Sequence, residues 1–484
     1  MSVMRSYVLN RWIAAQFAMI TALAFLCSLP SFAQDRLQTS DLSRFREVGD
    51  TAISPDGANV AYTVLNFAKP GRPYPQLWVM NVATGKSVRI GSTTSAGSDP
   101  VWSRDSRWLA YQGEVQGKNG LCIAHADGSA PTFLAEVTGT NAPIPGQGKD
   151  ITWSPDGKEI AFISATPGPE TAAATGDPMV FTRYLWRPTA GEGIHPWNDN
   201  RRLHIFIVDV AGKQVRQLTA GDYYEHSIDW SPDGSEILFC SDRSPHADQF
   251  FHYNIYEINP SDSAIHQLTT IESTQYDPSW SPDGKHIAFL STKRGLTDRE
   301  TTMEDTHVWL MNADGSDRHE LASMIDDRQG APVWSPASDA VYFAVQDRGS
   351  THLERLRIMS IVDEELRPQM IVNDRGSMGS FSISKSGTIA YSFTSPYDMG
   401  ELFLRSGDSS RQLTHLNDEI LRGKTLGQVE SFDFVSNDNK YNVEAFLVKP
   451  VDLAPGSKHP LIVNIHGGPH GQNGPAFKIG RAHV

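Results

Sequence analysis

The tetrapeptide Ser-Pro-Asp-Gly, intact or altered, recurs along this chain and restricts its fold more than any other feature. It is intact at Ser54-Pro55-Asp56-Gly57, Ser154-Pro155-Asp156-Gly157, Ser231-Pro232-Asp233-Gly234 and Ser281-Pro282-Asp283-Gly284. Altered copies stand at Ser103-Arg104-Asp105, Ser335-Pro336-Ala337 and Ser384-Lys385-Ser386-Gly387. The serines at 54, 103, 154, 231, 281, 335 and 384 are separated by 49, 51, 77, 50, 54 and 49 residues. A fixed period of this length is the mark of a repeat architecture. Proline presets φ at the second turn position, and glycine supplies the positive φ that closes a tight hairpin, so each copy reads as a turn.

Strands surround each turn. An apolar or alternating run follows it, as in Glu159 to Ile163, His286 to Leu290 and Ala340 to Ala344. A third strand comes next, for instance Leu77 to Asn81, His204 to Val208 or Val308 to Asn312. A short fourth ends in Leu-Thr at Leu218-Thr219, Leu268-Thr269 and Leu413-Thr414. Four strands per repeat predict an all-β, seven-bladed β-propeller over 34–418. Trp102, Trp153, Trp230, Trp280 and Trp334 recur at one blade position and are expected in the core. The 77-residue step carries an insertion, 165–201, that offers Arg183, Tyr184, Trp186 and His195 to whatever lies beside the ring; a packed surface excursion is the rival reading. No spare strand is evident to lock the last blade to the first, so the ring is expected to be unlatched.

The pattern changes after Leu413-Thr414. Val429 to Val435 and Tyr441 to Val448 read as strands joined at Asn437-Asp438-Asn439. A linker, Lys449 to Lys458, leads to Leu461-Ile462-Val463-Asn464-Ile465, an apolar run typical of a buried parallel strand. That run ends in His466-Gly467-Gly468-Pro469. In α/β-hydrolases, glycines at this point let backbone N–H groups approach a developing oxyanion. The segment 419–484 is therefore expected to hold the initial strands of an incomplete α/β-hydrolase domain.

Composition narrows the function classes. With 42 Lys plus Arg against 56 Asp plus Glu, the formal charge of −14 opposes nucleic-acid binding. Residues 1–33 read as an export signal: Arg5 and Arg11 precede an uncharged run from Trp12 to Leu29, followed by Ser31-Phe32-Ala33. An uncleaved anchor is the alternative; after cleavage no segment could span a membrane, and the product would be periplasmic or secreted. Cys122 and Cys240 fall in separate repeats and are expected to be buried thiols. Zinc and phosphate-loop spacings are missing, and Asn312 to Asp317 lacks the terminal Glu of a calcium loop, so no metal or cofactor is implied.

Taken in order, the Ser-Pro-Asp-Gly series, Phe181-Thr182-Arg183-Tyr184, the Leu-Thr endings, Ser395-Pro396 with Glu401-Leu402, and Pro460 to Pro469 resemble the prolyl oligopeptidase family of serine peptidases. The likeness is to its acylaminoacyl peptidase and dipeptidyl peptidase-like branches. The resemblance implies hydrolysis of oligopeptides, with the propeller filtering access. It implies a backbone oxyanion donor at Gly468, with His466 and Pro469 shaping the loop. The family's triad should follow the oxyanion strand, yet only 16 residues follow Gly468 and Gly-x-Ser-x-Gly occurs nowhere. The chain is therefore expected to be truncated, to contain no catalytic residue and to be inactive alone. The alternative is a non-enzymatic, TolB-like periplasmic binding propeller. Partners other than a peptide, and oligomeric state, leave no mark in the sequence.

Overall fold

Each repeat of the sequence becomes an antiparallel sheet in which a strand pairs with the next one along the chain. The computed structural model describes residues 36–67, 73–142, 148–172, 198–245, 247, 252–271, 273–292, 305–358, 367–451, 453–467 and 471–478. Among these residues the strands form five four-stranded sheets, one eight-stranded sheet and a separate hairpin. The first sheet sets the pattern, with Arg46–Ile53, Asn59–Asn66, Tyr74–Asn81 and Ser87–Arg89 side by side in chain order. The eight-stranded sheet repeats it twice and joins the halves through one parallel pair, Thr351 with Ser377.

The first strand of each unit lies innermost. These are Arg46–Ile53, Gly97–Trp102, Ile151–Trp153, Glu225–Trp230, Gln275–Trp280, Val333–Trp334 and Ser377–Ile383. Successive sheets meet through these strands and bury their apolar faces against one another, and Arg46–Ile53 returns to meet Ser377–Ile383, so the sheets close into a ring.

The repeat residues explain the geometry. In the Ser154 turn, Ser154 Oγ donates to Asp156 Oδ1 at 2.8 Å and accepts from the backbone N–H of Glu159 at 2.9 Å. The same lock is built on Ser54, Ser103, Ser231 and Ser281. At the altered copy Ser335, Asp339 takes the place of the turn aspartate. Three of the tryptophans tie sheets together: Trp102, Trp153 and Trp334 donate their indole N–H to the carbonyls of Ala52, Val101 and Ser279 on the preceding inner strand.

The Leu-Thr endings have their own task. Thr219, Thr269 and Thr414 accept, through Oγ1, the N–H of Ile205, Ile255 and Leu402 at 2.8 to 2.9 Å. The fifth sheet carries Leu321-Ala322 instead, with no hydroxyl to offer. There the buried amide of Gln329 substitutes, its Oε1 accepting the N–H of Val308 at 2.8 Å.

Inner strands also carry bulges at Val48/Thr51, Ser98/Val101, His226/Asp229, Tyr276/Ser279 and Met378/Phe381. Such a bulge re-aims the side chain it carries. Asp99, Ser227 and Asp277 sit in three of them with φ of 54°, 57° and 48°. Asp50 lies in the first bulge, and Asp150 holds the matching place before Ile151–Trp153. These carboxylates face the ring interior and feel one another. Burial, then the charges of Asp99 and Asp277, push Asp150 up to about 7. Burial pushes Asp277 up to about 6, opposed by Lys149.

Among the described residues, closure at the seam uses no shared strand. All four strands of the last unit lie within Ser377–Gln412, and among the described residues no segment before Arg46 pairs with them. Instead, Thr51 N–H donates to Ser380 Oγ at 3.0 Å and Ile53 N–H to Ser382 Oγ at 2.8 Å. Asn417, fully buried, accepts from the Arg46 N–H and donates to the Arg46 carbonyl.

Beyond the ring, Val429–Val435 and Asn442–Val448 form a hairpin whose turn repeats the Ser–Asp lock at Ser436 and Asp438. The parallel strand expected over 461–465 is not formed: no strand is assigned there, and Ile462 and Ile465 are 91% and 84% exposed. An inner parallel strand needs partners for its N–H and C=O groups on both sides, and none lies beside it among the described residues. The chain then returns to the ring, where Phe477 packs on Phe45 at 5.3 Å beside Met399 and Ile420. Cys122 and Cys240 are free and buried, as expected.

Two outcomes follow. Gln329→Ala leaves the Val308 N–H unsatisfied and should cost about 1–3 kcal/mol; adding Ala322→Thr should restore part of it, read as urea or thermal midpoints. For Asp150 the folded value stands above the ordinary 3.8, so its contribution to stability is present below about pH 4 and is lost as pH rises through about 7. Asp150→Asn should therefore raise the thermal midpoint at pH 8, by about 2 °C, and much less at pH 5. A difference independent of pH would contradict this placement.

Candidate functional site

The two faces of the ring differ because the turns do. The Ser-Pro-Asp-Gly turns occupy one face; the connections between second and third strands, and the Leu-Thr endings, occupy the other. The hairpin, Gln472 and Phe477, which follow the ring, contact that second face. Arg348, at such a connection, forms ion pairs with Asp433 at 3.2 Å and Glu444 at 3.6 Å of the hairpin. The adjacent Gly349 N–H donates to Gln472 Oε1 at 3.0 Å, and Gln472 Nε2 donates to the Ser350 carbonyl. The Phe477 N–H donates to the Ser395 carbonyl. The stretch bearing His466 and Gly467 is thus tethered to this face on both sides.

His466 and Gly467 are exposed, and His466 Nδ1 lies 3.0 Å from the Gly467 carbonyl oxygen. Gly468 and Pro469 lie outside the described residues, as do Arg183, Tyr184, Trp186 and His195 of the insertion. The described residues that flank the insertion carry a strong local charge network. Arg202, fully buried, bonds Glu170 at 2.8 Å, pairs with Asp222, and stacks over Tyr224 at 5.4 Å.

Beside it lies a second buried network. Glu225, also fully buried, meets His204 Nδ1 at 2.7 Å, accepts from Thr219 Oγ1 at 3.1 Å and from Arg243 Nη2 at 2.8 Å. Arg243 in turn covers the ring of Tyr223 at 4.7 Å and that of Tyr256 at 5.4 Å. A buried carboxylate is tolerable only when so compensated. These groups give the face fixed charge and shape rather than a free nucleophile or base.

One Ser–His contact has to be judged on chemistry. His226 Nδ1 lies 2.8 Å from Ser227 Oγ, but His226 is fully buried and burial lowers it to about 3. A base that cannot hold a proton near neutral pH does not activate a hydroxyl by general-base catalysis. Among the described residues no three His, Cys, Asp or Glu side chains are placed to hold a metal ion.

A shallow cavity of about 360 Å³ opens on the same face between the fifth sheet and the eight-stranded sheet, lined in part by Asp277, Arg328, Gln346 and Thr351. None of these four was singled out from the sequence. A signal for Asp277 was present: the position four residues before each repeat serine reads Asp50, Asp99, Asp150, Ser227, Asp277, Ala331 and Ser380. For Arg328, Gln346 and Thr351 there was none, because only strand register brings them together.

Known proteins resemble the chain in both halves of this picture. A family model described as TolB beta propeller domain matches residues 184–369. A peptidase of Bacillus subtilis named YuxL is 28% identical over 459 residues, which is 90% of this chain and 66% of that protein. A TolB homolog of Chlorobium chlorochromatii is 33% identical over 132 residues, 27% of each chain. The solved Pyrococcus horikoshii acylaminoacyl peptidase superposes with a TM-score of 0.68 at 19% identity, covering 92% of this chain and 64% of that one. The chain thus spans slightly under two thirds of the longer peptidases it matches. The match to the Bacillus peptidase takes in nine-tenths of the chain, whereas the TolB family model stops at residue 369, within the ring. Over nine-tenths of its length this chain is similar to the Bacillus peptidase, and over 184–369 it matches the TolB-type propeller model.

Proposed function

We infer that the chain is the propeller and first hydrolase segment of an exported serine peptidase that cleaves oligopeptides. In this reading the units form a seven-bladed ring whose second face roofs a hydrolytic chamber and limits it to short or unstructured substrates. The observation that carries the reading is that the hairpin, Gln472 and Phe477 dock on one face of the ring, through Arg348, Gly349 and Ser395, on either side of His466 and Gly467 in the chain.

In the reaction proposed, a histidine-activated serine attacks the peptide carbonyl and backbone N–H groups stabilise the tetrahedral oxyanion. The Gly468 N–H would be one donor, and the insertion bearing Arg183, Tyr184 and Trp186 would face the substrate. The 484 residues hold no Gly-x-Ser-x-Gly, so the nucleophile, acid and base would be encoded downstream of Val484. The segment 1–33 would direct export. Among the described residues no helix is long and apolar enough to cross a membrane.

A binding propeller of the TolB kind is the second reading, favoured by the match over 184–369. It gives no role to the hairpin and to the His466-Gly467 stretch that follows.

A fluorescent serine-directed phosphonate separates the readings. The 484-residue chain should take up no label, and the same chain extended by its downstream reading frame should be labelled at one serine within Gly-x-Ser-x-Gly. Labelling of the 484-residue chain, or a downstream frame without that motif, would overturn the proposal.

A further inference from the structure

The cavity between the fifth sheet and the eight-stranded sheet is built by register. Gln329 bridges Val345, and the Gln346 N–H donates to the Arg328 carbonyl at 3.0 Å, which sets Arg328 opposite Gln346 and Gly330 opposite Ala344. Gln346 in turn pairs with Thr351. Opposed residues in an antiparallel ladder project from the same face, and alternate residues share it. Arg328, Gln346 and Thr351 therefore form a polar row on one face, with the small residues Gly330 and Ala344 beside it leaving open space. Tyr276, Asp277, Leu290 and Thr306 of the fifth sheet make the other wall.

Thr306 and Thr351 have partners, donating to the Gln329 carbonyl and accepting from Ser377 Oγ, but three polar groups of this cavity are unspent. Among the described residues the Arg328 guanidinium makes no hydrogen bond or ion pair, and neither does the Gln346 amide. The Asp277 carboxylate likewise accepts no hydrogen bond among them. A buried or half-buried guanidinium left in that state suits a planar oxyanion such as a carboxylate. The surroundings narrow the choice further. Asp327 is pushed up by burial and then by Asp347, Asp326 and Asp305, and Glu354 by burial and then by Asp347 and Asp327. That negative field repels a bare anion. A ligand that brings its own cation, with Asp277 to receive it, meets no such penalty, and a volume of about 360 Å³ suits a molecule of two or three amino acids.

We propose that the cavity lined by Asp277, Arg328, Gln346 and Thr351 binds short zwitterionic peptides, with the free carboxylate on Arg328 and Gln346 and the ammonium at Asp277. The proposal deepens the peptidase reading and rests on it for the class of ligand. The cavity opens on the face that carries 429–477, since Thr351 follows Ser350, the residue that Gln472 contacts. It would hold a peptide end or a released product there, and would favour unblocked peptides.

Titration calorimetry of the 484-residue chain with the dipeptide Ala-Phe, its C-terminal amide and its N-acetyl form provides the test. The free dipeptide should bind about tenfold more tightly than either blocked form. Arg328→Gln should abolish the preference over the amide and keep the preference over the N-acetyl form; Asp277→Asn should do the reverse. Gln346→Ala, milder in its effect on folding, should weaken the preference over the amide severalfold. Equal binding of the three peptides, no binding of any, or an unchanged preference in folded Arg328→Gln would overturn the proposal. Phosphonate labelling of the extended chain does not involve this cavity. Labelling without peptide preference would therefore sink the cavity proposal alone.

Discussion

The meeting of Arg46–Ile53 with Ser377–Ile383 decides whether the sheets are a ring or an open row. Elsewhere each sheet buries its apolar faces against neighbours that adjoin it in sequence. At this seam the partners are more than three hundred residues apart, so closing it costs the most loop entropy of any sheet junction. What holds it is an apolar cluster of Val48, Ile53, Val60 and Met80 with Ala390, Leu402 and Leu404, reinforced by hydroxyls and one amide: Ser380 and Ser382 accept the Thr51 and Ile53 N–H groups, and Asn417 grips both backbone groups of Arg46. Net contributions of about 1 kcal/mol each are typical of such bonds. Phe477 adds apolar cover over Phe45, so the segment that leaves the ring comes back to seal its joint.

That return links closure to function. The same segment that seals the seam also carries His466 and Gly467, and it is fastened to the face where Arg202, Arg243 and the Asp277–Arg328 cavity lie. The opposite face is made of short turns whose polar groups are consumed in their own Ser–Asp locks. The chemistry-bearing side chains are therefore one-sided because the connections between second and third strands are long and variable there, whereas the turns are fixed by their hairpin geometry.

Much of this was legible in the chain, and the reasons differ from residue to residue. The turns at Ser54, Ser154, Ser231 and Ser281 are local, and proline, aspartate and glycine state their geometry directly. Leu-Thr endings are also local, though their purpose, capping the N–H of the third strand, needed coordinates. Gln329 could not be read as the stand-in for a missing threonine, because it lies seven residues past Ala322 and reaches back across a loop. Hydrophobicity alone read Leu461 to Ile465 as a buried strand; burial depends on neighbours that the described residues do not supply. The row of Arg328, Gln346 and Thr351 was illegible for a further reason, since it exists only in the pairing of strands.

Hydrogen exchange read by mass spectrometry tests the seam most directly. Because this junction closes the longest loop, through its apolar cluster, its side-chain bonds and the cover of Phe477, peptides covering 46–53 and 377–383 should exchange together, as one unit, well ahead of those covering 225–230 and 275–280. Protection of 46–53 and 377–383 equal to that of the inner strands of the fourth and fifth sheets would contradict the account.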